Sequence, residues 1–177
     1  MQVFNFNRLS KGRSIFLRDI ALYLKTKCFI TVGKYSAWAN ETLPPPVTDF
    51  TATDEIILYK RPRLIMLATV TNCGGIACDN KRINGNNYYL VDPSNEEDVL
   101  NADVTHIYIE GDIRYTDYTS AYFRTTSIVL GAEAPNNNIL FKPEQMLKLG
   151  YVYSSINHTR IVREDNQRHL IKQLISI

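Results

Sequence analysis

The sequence predicts an α+β protein rich in strands, built as an antiparallel sheet or sandwich with one N-terminal helix packed on it. Three observations lead there. The chain carries 11 tyrosines, and tyrosine suits strands because its ring fits a pleated surface while its hydroxyl finds a partner. It carries 15 asparagines, whose short side chains satisfy nearby backbone groups and tolerate left-handed turn dihedrals. Only residues 11–26 have convincing helical spacing, whereas several runs read as strands.

That helix places Phe16, Ile20, Tyr23 and Leu24 on one stripe, at i, i+4, i+7 and i+8. Ser10 suits its N-cap, and Lys25 and Lys27 suit the negative end of its dipole. Cys28 to Val32 reads as a short strand closed by Gly33. From Lys34 to Asp54 the chain is rich in turns, and Pro44, Pro45 and Pro46 hold an extended backbone that cannot donate to a ladder. A loop of about 20 residues without order is uncommon in a compact domain. The expectation is therefore an ordered surface strap, packed on its own sheet or on a neighbouring subunit.

Residues 55–60 and 64–71 are the next strand candidates. Asn84-Gly85 offers a type I′ turn before a strand over 87–91. Ser94-x-x-Glu97 has the form of a capping box opening a short helix through about Leu100. Two long strands are expected over 105–115 and 121–131, a loop over 134–138, and a helical turn over 143–147. Two short strands follow near 151–153 and 160–163, then a turn at Asp165-Asn166. The last strand runs to Ile177 and has apolar residues on both faces. That pattern predicts cover on both sides, and we expect it to pair in the layer of the 28–32 strand.

These elements suit one compact domain over 1–177, with a subdivision into a discontinuous α/β layer (1–60 with 146–177) and an inserted β region (61–145). A chain of this length buries roughly 70% of its unfolded surface and needs no staples. Twenty basic and 18 acidic residues leave a net charge of +2, too balanced for a nucleic-acid or membrane-surface binder. Cys28, Cys73 and Cys78 are odd in number and irregular in spacing, which argues against a disulfide framework and suits a reducing compartment. Arg18 and Asp19 interrupt the one apolar run near the N-terminus, so no signal peptide is expected. No run approaches the ~18 apolar residues of a membrane span.

A search for chemistry returns little. Cys73-x4-Cys78 flanks Gly74-Gly75, but no second ligand pair completes a zinc site, and free thiols are the simpler reading. No nucleophile elbow or local Cys–His signature occurs. Glu96-Glu97 and Asp112 with Asp117 are carboxylate pairs, better explained as a solvated helix end and a turn. No glycine fingerprint for phosphate is present. Lys60-Arg61-x-Arg63 and Lys81-Arg82 read as solvated strand ends or protein contacts. No catalytic residue, metal ligand or cofactor is assigned, and we expect the chain not to be an enzyme.

One resemblance is sharper. A helix, then Phe29, Ile30, Thr31, Val32 and Gly33, then Trp38 and Pro44 to Pro46, resembles the N-terminal region of a baseplate wedge family of contractile-tailed, T-even type bacteriophages. The C-terminus resembles the same family through Gly150, Tyr151 and Tyr153, then Asn157, Ile161 and Arg163, then Asp165 and Gln167, and last Leu170 to Ile177. Known members are longer, carry large β insertions and dimerise in each wedge. The resemblance implies an architectural role without catalysis, an α/β layer built from both termini, and β structure between them.

The functional expectation is a structural baseplate wedge subunit, located in the virion tail and assembled in the host cytoplasm. Its partners would be other wedge proteins or a second copy, not nucleic acid or a membrane. Interface candidates are Trp38, Pro44, Pro45, Pro46, Tyr115, Tyr118 and Tyr122, because aromatic residues anchor interfaces with few rotors to freeze. The alternatives are a receptor- or carbohydrate-binding module of a tail tip or fibre, and a small hydrolase with unrecognised carboxylates.

Overall fold

The computed structural model of the chain describes residues 10–33, 36–47, 55–71, 78–117, 122–162 and 167–176. The order is α1 (Ser10–Lys27), β1 (Cys28–Gly33), β2 (Ile56–Lys60), β3 (Leu64–Thr69), β4 (Asp79–Ile83), β5 (Asn86–Val91), α2 (Glu96–Asn101), β6 (His106–Arg114), β7 (Tyr122–Leu130), β8 (Leu140–Phe141), β9 (Tyr151–Val162) and β10 (Arg168–Ser176). Single 3-10 turns lie at Tyr115–Asp117 and Pro143–Gln145. The strands form two sheets, β8-β2-β1-β7-β9 and β10-β6-β3-β5-β4, so the expected antiparallel, strand-rich α+β class is what the chain adopts. Two compact units result: Met1–Tyr23, Leu64–Glu110 and Lys172–Ile177 in the first, Leu24–Arg63 and Gly111–Ile171 in the second.

In the first unit β3 is central, with Leu67 opposite Val91 of β5 on one side and Ile107 of β6 on the other. Ala68, Ile83, Tyr88, Leu90 and Tyr108 form its core, joined by Leu64, Met66 and Leu174. Tyr108 donates its hydroxyl to the buried Glu110 carboxylate, a contact possible because residues two apart on a strand share a face. Asn84 (φ 48°) and Gly85 (φ 86°) both adopt the left-handed dihedrals of the expected hairpin turn between β4 and β5. The cap of α2 is Asn95, whose side chain accepts from the Asp98 N–H, not Ser94. Ser94 is engaged one step earlier, its N–H donating to the Asp92 carboxylate at 2.9 Å.

Helix α1 buries Ser14, Leu17, Ala21 and Leu24, while Phe16 and Tyr23 are exposed. The expected stripe is thus corrected by about one position. Close packing admits the small Ser14 and Ala21 where two bulky rings would not fit. Arg13 pairs with Asp103 at 2.7 Å, and Arg18 reaches Glu96 at 3.2 Å and the Pro93 carbonyl at 3.1 Å.

In the second unit the β-branched run of β1 is buried throughout, between β2 and β7. Phe29 meets Tyr59 and Phe141 edge-on at 6.1 and 6.0 Å, and the Arg61 guanidinium lies 4.8 Å from its ring centre. Arg61 is no solvated strand end. It donates to the carbonyls of Thr26, Asn136 and Asn138 and so holds the 134–138 loop in place.

Three further expectations are corrected. Strand β9 is one strand of 12 residues, not two short ones. Its polar middle reads as turn-like in sequence but is satisfied across the ladder, with Ser127 donating to Ser155 at 2.8 Å and Thr125 to Asn157 at 3.2 Å. The last strand, β10, joins the sheet of β6 rather than that of β1, because β1 already has β2 and β7 on its two edges. It is an edge strand, and of its residues only Ile175 is fully buried. Cys78 is disulfide-bonded rather than a free thiol, and its partner lies outside the described residues. Cys28 is a free, buried thiol, pushed up to about 12 by that burial. The expected turn at Asp165-Asn166 also lies outside the described residues.

Candidate functional site

The second unit gathers three features around β7 and β9. The first is the strap, described over residues 36–47. It lies on its own sheet through three ties of different chemistry. The Trp38 indole Nε1 donates to the His158 carbonyl at 3.0 Å. The nearly buried Arg124 guanidinium donates to both Glu41 oxygens, at 2.8 and 3.1 Å. The Asn157 amide donates to the Pro45 carbonyl at 3.0 Å. These ties sit where the β7–β9 register slips between Phe123 and Thr125, a bulge that leaves backbone groups for other partners. Beside them a cleft of about 630 Å³ is lined by Ala37, Glu41, Thr42, Arg124, Thr159 and Arg160.

The second feature is a cluster of charges. Lys60 Nζ lies 2.7 Å from Asp117 and 3.7 Å from Asp112, and all three side chains are nearly buried. Arg114 and Arg168 then close on Asp112 from outside at 2.7 and 2.8 Å, and Asp117 also accepts the Arg114 N–H at 2.7 Å. Burial alone would push the Asp112 carboxyl up. The Arg114 hydrogen bond, with Lys60 and Arg168 nearby, outweighs burial and holds it below the ordinary carboxylate range. The two carboxylates are therefore no solvated turn. They are the counterions of a buried lysine, the arrangement that makes such burial tolerable.

The third feature is a groove on the opposite face of the β7–β9 ladder. Successive strand residues alternate faces. Thr125 and Asn157 point toward the strap, and the opposed pair Thr126 and Ile156 point away from it. Phe123, Ile161, His158, His169 and Leu170 complete a groove of about 420 Å³. Phe123 is stacked edge-on between the two histidine rings, at 5.3 and 5.7 Å. His158 Nδ1 donates to the Thr159 carbonyl at 2.8 Å, so Nε2 accepts from the Thr126 hydroxyl at 3.2 Å. Burial lowers its pKa, against the Thr159 bond that raises it and with His169 adding to the fall.

Trp38, Pro44, Pro45 and Pro46 fall together on the strap, and Trp38 and Pro45 make two of its ties. Tyr122 lies near Arg124 and Arg160, whose guanidinium carbons are 4.9 and 5.6 Å from its ring centre. Tyr115 is exposed beside Arg114 and Arg168. Tyr118 lies outside the described residues. Sequence reasoning missed Glu41, Arg124 and Arg168, and it took Lys60 for a solvated strand end or protein contact, whereas Lys60 is buried on Asp117. Glu41 and Arg124 are 83 residues apart, a separation that no local motif spans.

No curated protein matches the chain. A family model described as "baseplate wedge 3 tail fiber network component" matches residues 17–177. That span takes in most of α1, the residues from Phe29 onward that carry the resemblance, all the described strands, and the strap, charge cluster and groove. The chain therefore belongs to this phage baseplate wedge family, whose members are components of the virion tail.

Proposed function

We propose that this chain is a non-catalytic structural subunit of a contractile tail's baseplate wedge and acts through protein–protein surfaces. The observation that carries the reading is the outward side of β9 and its neighbour. Tyr151 (75% exposed), Tyr153, Ile156, Val162 and Leu170 all leave large apolar area in water. Such area on strands at the ends of their sheets marks an interaction surface or an aggregation hazard. The ion pairs described above serve packing: Glu41 fastens a strap and Asp112 neutralises a buried lysine. The reading carries with it assembly in the host cytoplasm, an isolated chain no larger than a dimer, and partners that are proteins rather than nucleic acid or membrane. No described helix is long and apolar enough to cross a membrane.

The test is co-expression with the other tail genes of the same virus, followed by size exclusion, cross-linking and mass spectrometry of purified virions. The expected result is a stoichiometric complex with wedge proteins and presence of the chain in virions. Absence from virions, with a lone monomer in every combination, removes the reading. One observation favours a second reading, a receptor- or carbohydrate-binding module: the polar cleft between the strap and β9. Binding on a glycan array that is lost in Arg160→Ala would support it.

A further inference from the structure

Two guanidiniums converge on one ring beside the strap. The Arg124 and Arg160 guanidinium carbons lie 4.9 and 5.6 Å from the centre of Tyr122. Both arginines line the cleft of about 630 Å³ together with Ala37, Glu41, Thr42 and Thr159. Arg124 is nearly buried, and Glu41 neutralises it at 2.8 Å. Arg160 stands exposed on β9. Among the described residues it meets the Tyr122 ring and no carboxylate. Two arginines and one glutamate leave the cleft with a single positive charge, and that charge sits on its accessible side.

The hydrogen-bonding groups around this charge are of both kinds. Glu41 Oε1 accepts from Arg124 Nε and from the Trp38 N–H. Its Oε2 takes only the longer Arg124 bond of 3.1 Å and so keeps a lone pair for another donor. The Thr42 hydroxyl donates to Asn40 Oδ1 at 2.8 Å and can still accept. The exposed Thr159 hydroxyl makes no hydrogen bond among the described residues. Ala37 is the one apolar residue of the lining. A protein partner anchors itself by a large apolar or aromatic side chain in a desolvated pocket, and this cleft has no such pocket. Its volume falls within the roughly 300–1,000 Å³ usual for small-molecule sites. A carboxylate carried on a polyhydroxylated ring matches every group present.

We propose that the cleft binds an acidic saccharide, a sugar bearing a carboxylate such as a uronic or sialic acid. The carboxylate meets the Arg160 guanidinium, whose planar fork binds such a group at two points. Sugar hydroxyls donate to Glu41 Oε2 and exchange hydrogen bonds with Thr42 and Thr159. The proposal rests on the second reading given above, the cleft as a carbohydrate site, and names the class of sugar. The structural role of the chain does not depend on it.

The experiment titrates the full chain with glucuronic acid, N-acetylneuraminic acid, glucose and acetate at matched ionic strength. Ligand-observed NMR gives the affinities, and Trp38, the only tryptophan in the chain, reports the strap by its emission. Both acidic sugars are expected to bind saturably and more weakly as salt rises. Glucose should bind about tenfold more weakly, the order of one charge-assisted contact. Arg160→Ala should erase that preference and leave the melting temperature unchanged, since Arg160 holds no ion pair. Arg160→Lys should recover part of it, because lysine keeps the charge without the fork. The proposal is overturned if glucose binds as tightly as glucuronic acid, an outcome that leaves a carbohydrate site standing. It is overturned together with the carbohydrate reading if no sugar binds. It also fails if acetate displaces glucuronic acid at equal concentration, which marks a plain anion site. An Asp-bearing wedge-protein peptide that binds the cleft more tightly than either acidic sugar would give the site to a protein partner instead.

Discussion

Strand β4 ends one sheet with five residues, Asp79-Asn80-Lys81-Arg82-Ile83, while β9 ends the other with twelve. Both present an edge to whatever approaches, and open edges invite pairing with other chains. In β4 the protection is compositional: the strand is short and mostly charged, and its single apolar residue, Ile83, is buried. In β9 the protection is geometric. Its register slips twice, between Phe123 and Thr125 and between Ile128 and Val129 of its partner β7. The strap caps a carbonyl at the first slip. Bulges twist an edge away from regular pairing while re-aiming side chains. The result is an edge poor for backbone addition whose Tyr151, Tyr153 and Ile156 still point outward. The contrast shows two ways to protect an edge, and on the proposed reading the adhesive one is β9, whose backbone is guarded and whose side chains are not.

The most severe way to break this comparison is at the glycines that lead into the two strands or out of them. Gly150, just before β9, has φ +75°, and a Cβ there would stand 2.6 Å from the Leu130 carbonyl and 2.7 Å from the Ala132 nitrogen. Gly150→Val should cost about 3 kcal/mol or more, or prevent folding. Gly85, just after β4, has φ +86° but open space around it, so Gly85→Ala should cost only the left-handed penalty of about 1–2 kcal/mol. Urea unfolding of both variants decides. Equal costs would mean that the β9 edge is no more tightly built than the β4 edge.

Next in size is the strap. Glu41→Ala strips the carboxylate from Arg124, a nearly buried guanidinium, and should cost about 2 kcal/mol. Trp38 is the only tryptophan in the chain, so its emission reports the strap directly and should shift to the red in this variant. An unchanged spectrum and unchanged stability would show that the strap does not guard β9.

Acid separates the two regions more gently. Asp112 has a depressed folded-state pKa, so its contribution is present above the ordinary carboxylate value of 3.8 and is lost as pH falls through the lower folded value. Stability should therefore drop below about pH 4, and Asp112→Asn should flatten that drop while lowering stability at pH 7. His158 of β9 and His106 of β6, edge-on to Tyr88 of β5, are both depressed from 6.5, chiefly by burial. Each adds a shallow loss of stability as pH falls below that value. His106→Gln and His158→Gln, compared by thermal melts between pH 7 and 5, assign the two contributions.

The smallest expected effects are the matched single changes on each edge. Trp38→Phe keeps a ring but loses the bond to the His158 carbonyl, for about 1 kcal/mol. Lys81→Glu on β4 should stay within about 0.5 kcal/mol. A larger loss at Lys81 than at Trp38 would reverse the assignment of protective roles.

The features legible in the amino-acid order alone are local ones. The buried run of β1, the left-handed Asn84-Gly85 turn and the long strands β6 and β7 follow from residues within a few positions of one another, where propensity and alternation act. The two-ended resemblance also placed the chain in a baseplate wedge family from residues quoted by position. Which distant groups meet is settled by the folded chain. Nothing near Lys60 foretells that Asp112 and Asp117 will bury it, or that Glu41 will wait 83 residues for Arg124. The middle of β9 reads as turn because Ser, Asn and Thr satisfy nearby backbone in isolation. Only the hydroxyls of β7 opposite them make a strand the better state. The placement of β10 likewise depends on edges already occupied, since β1 has its pairing positions filled by β2 and β7. Pairing, burial and ion contact are properties of neighbours in space, and a window of sequence does not contain them.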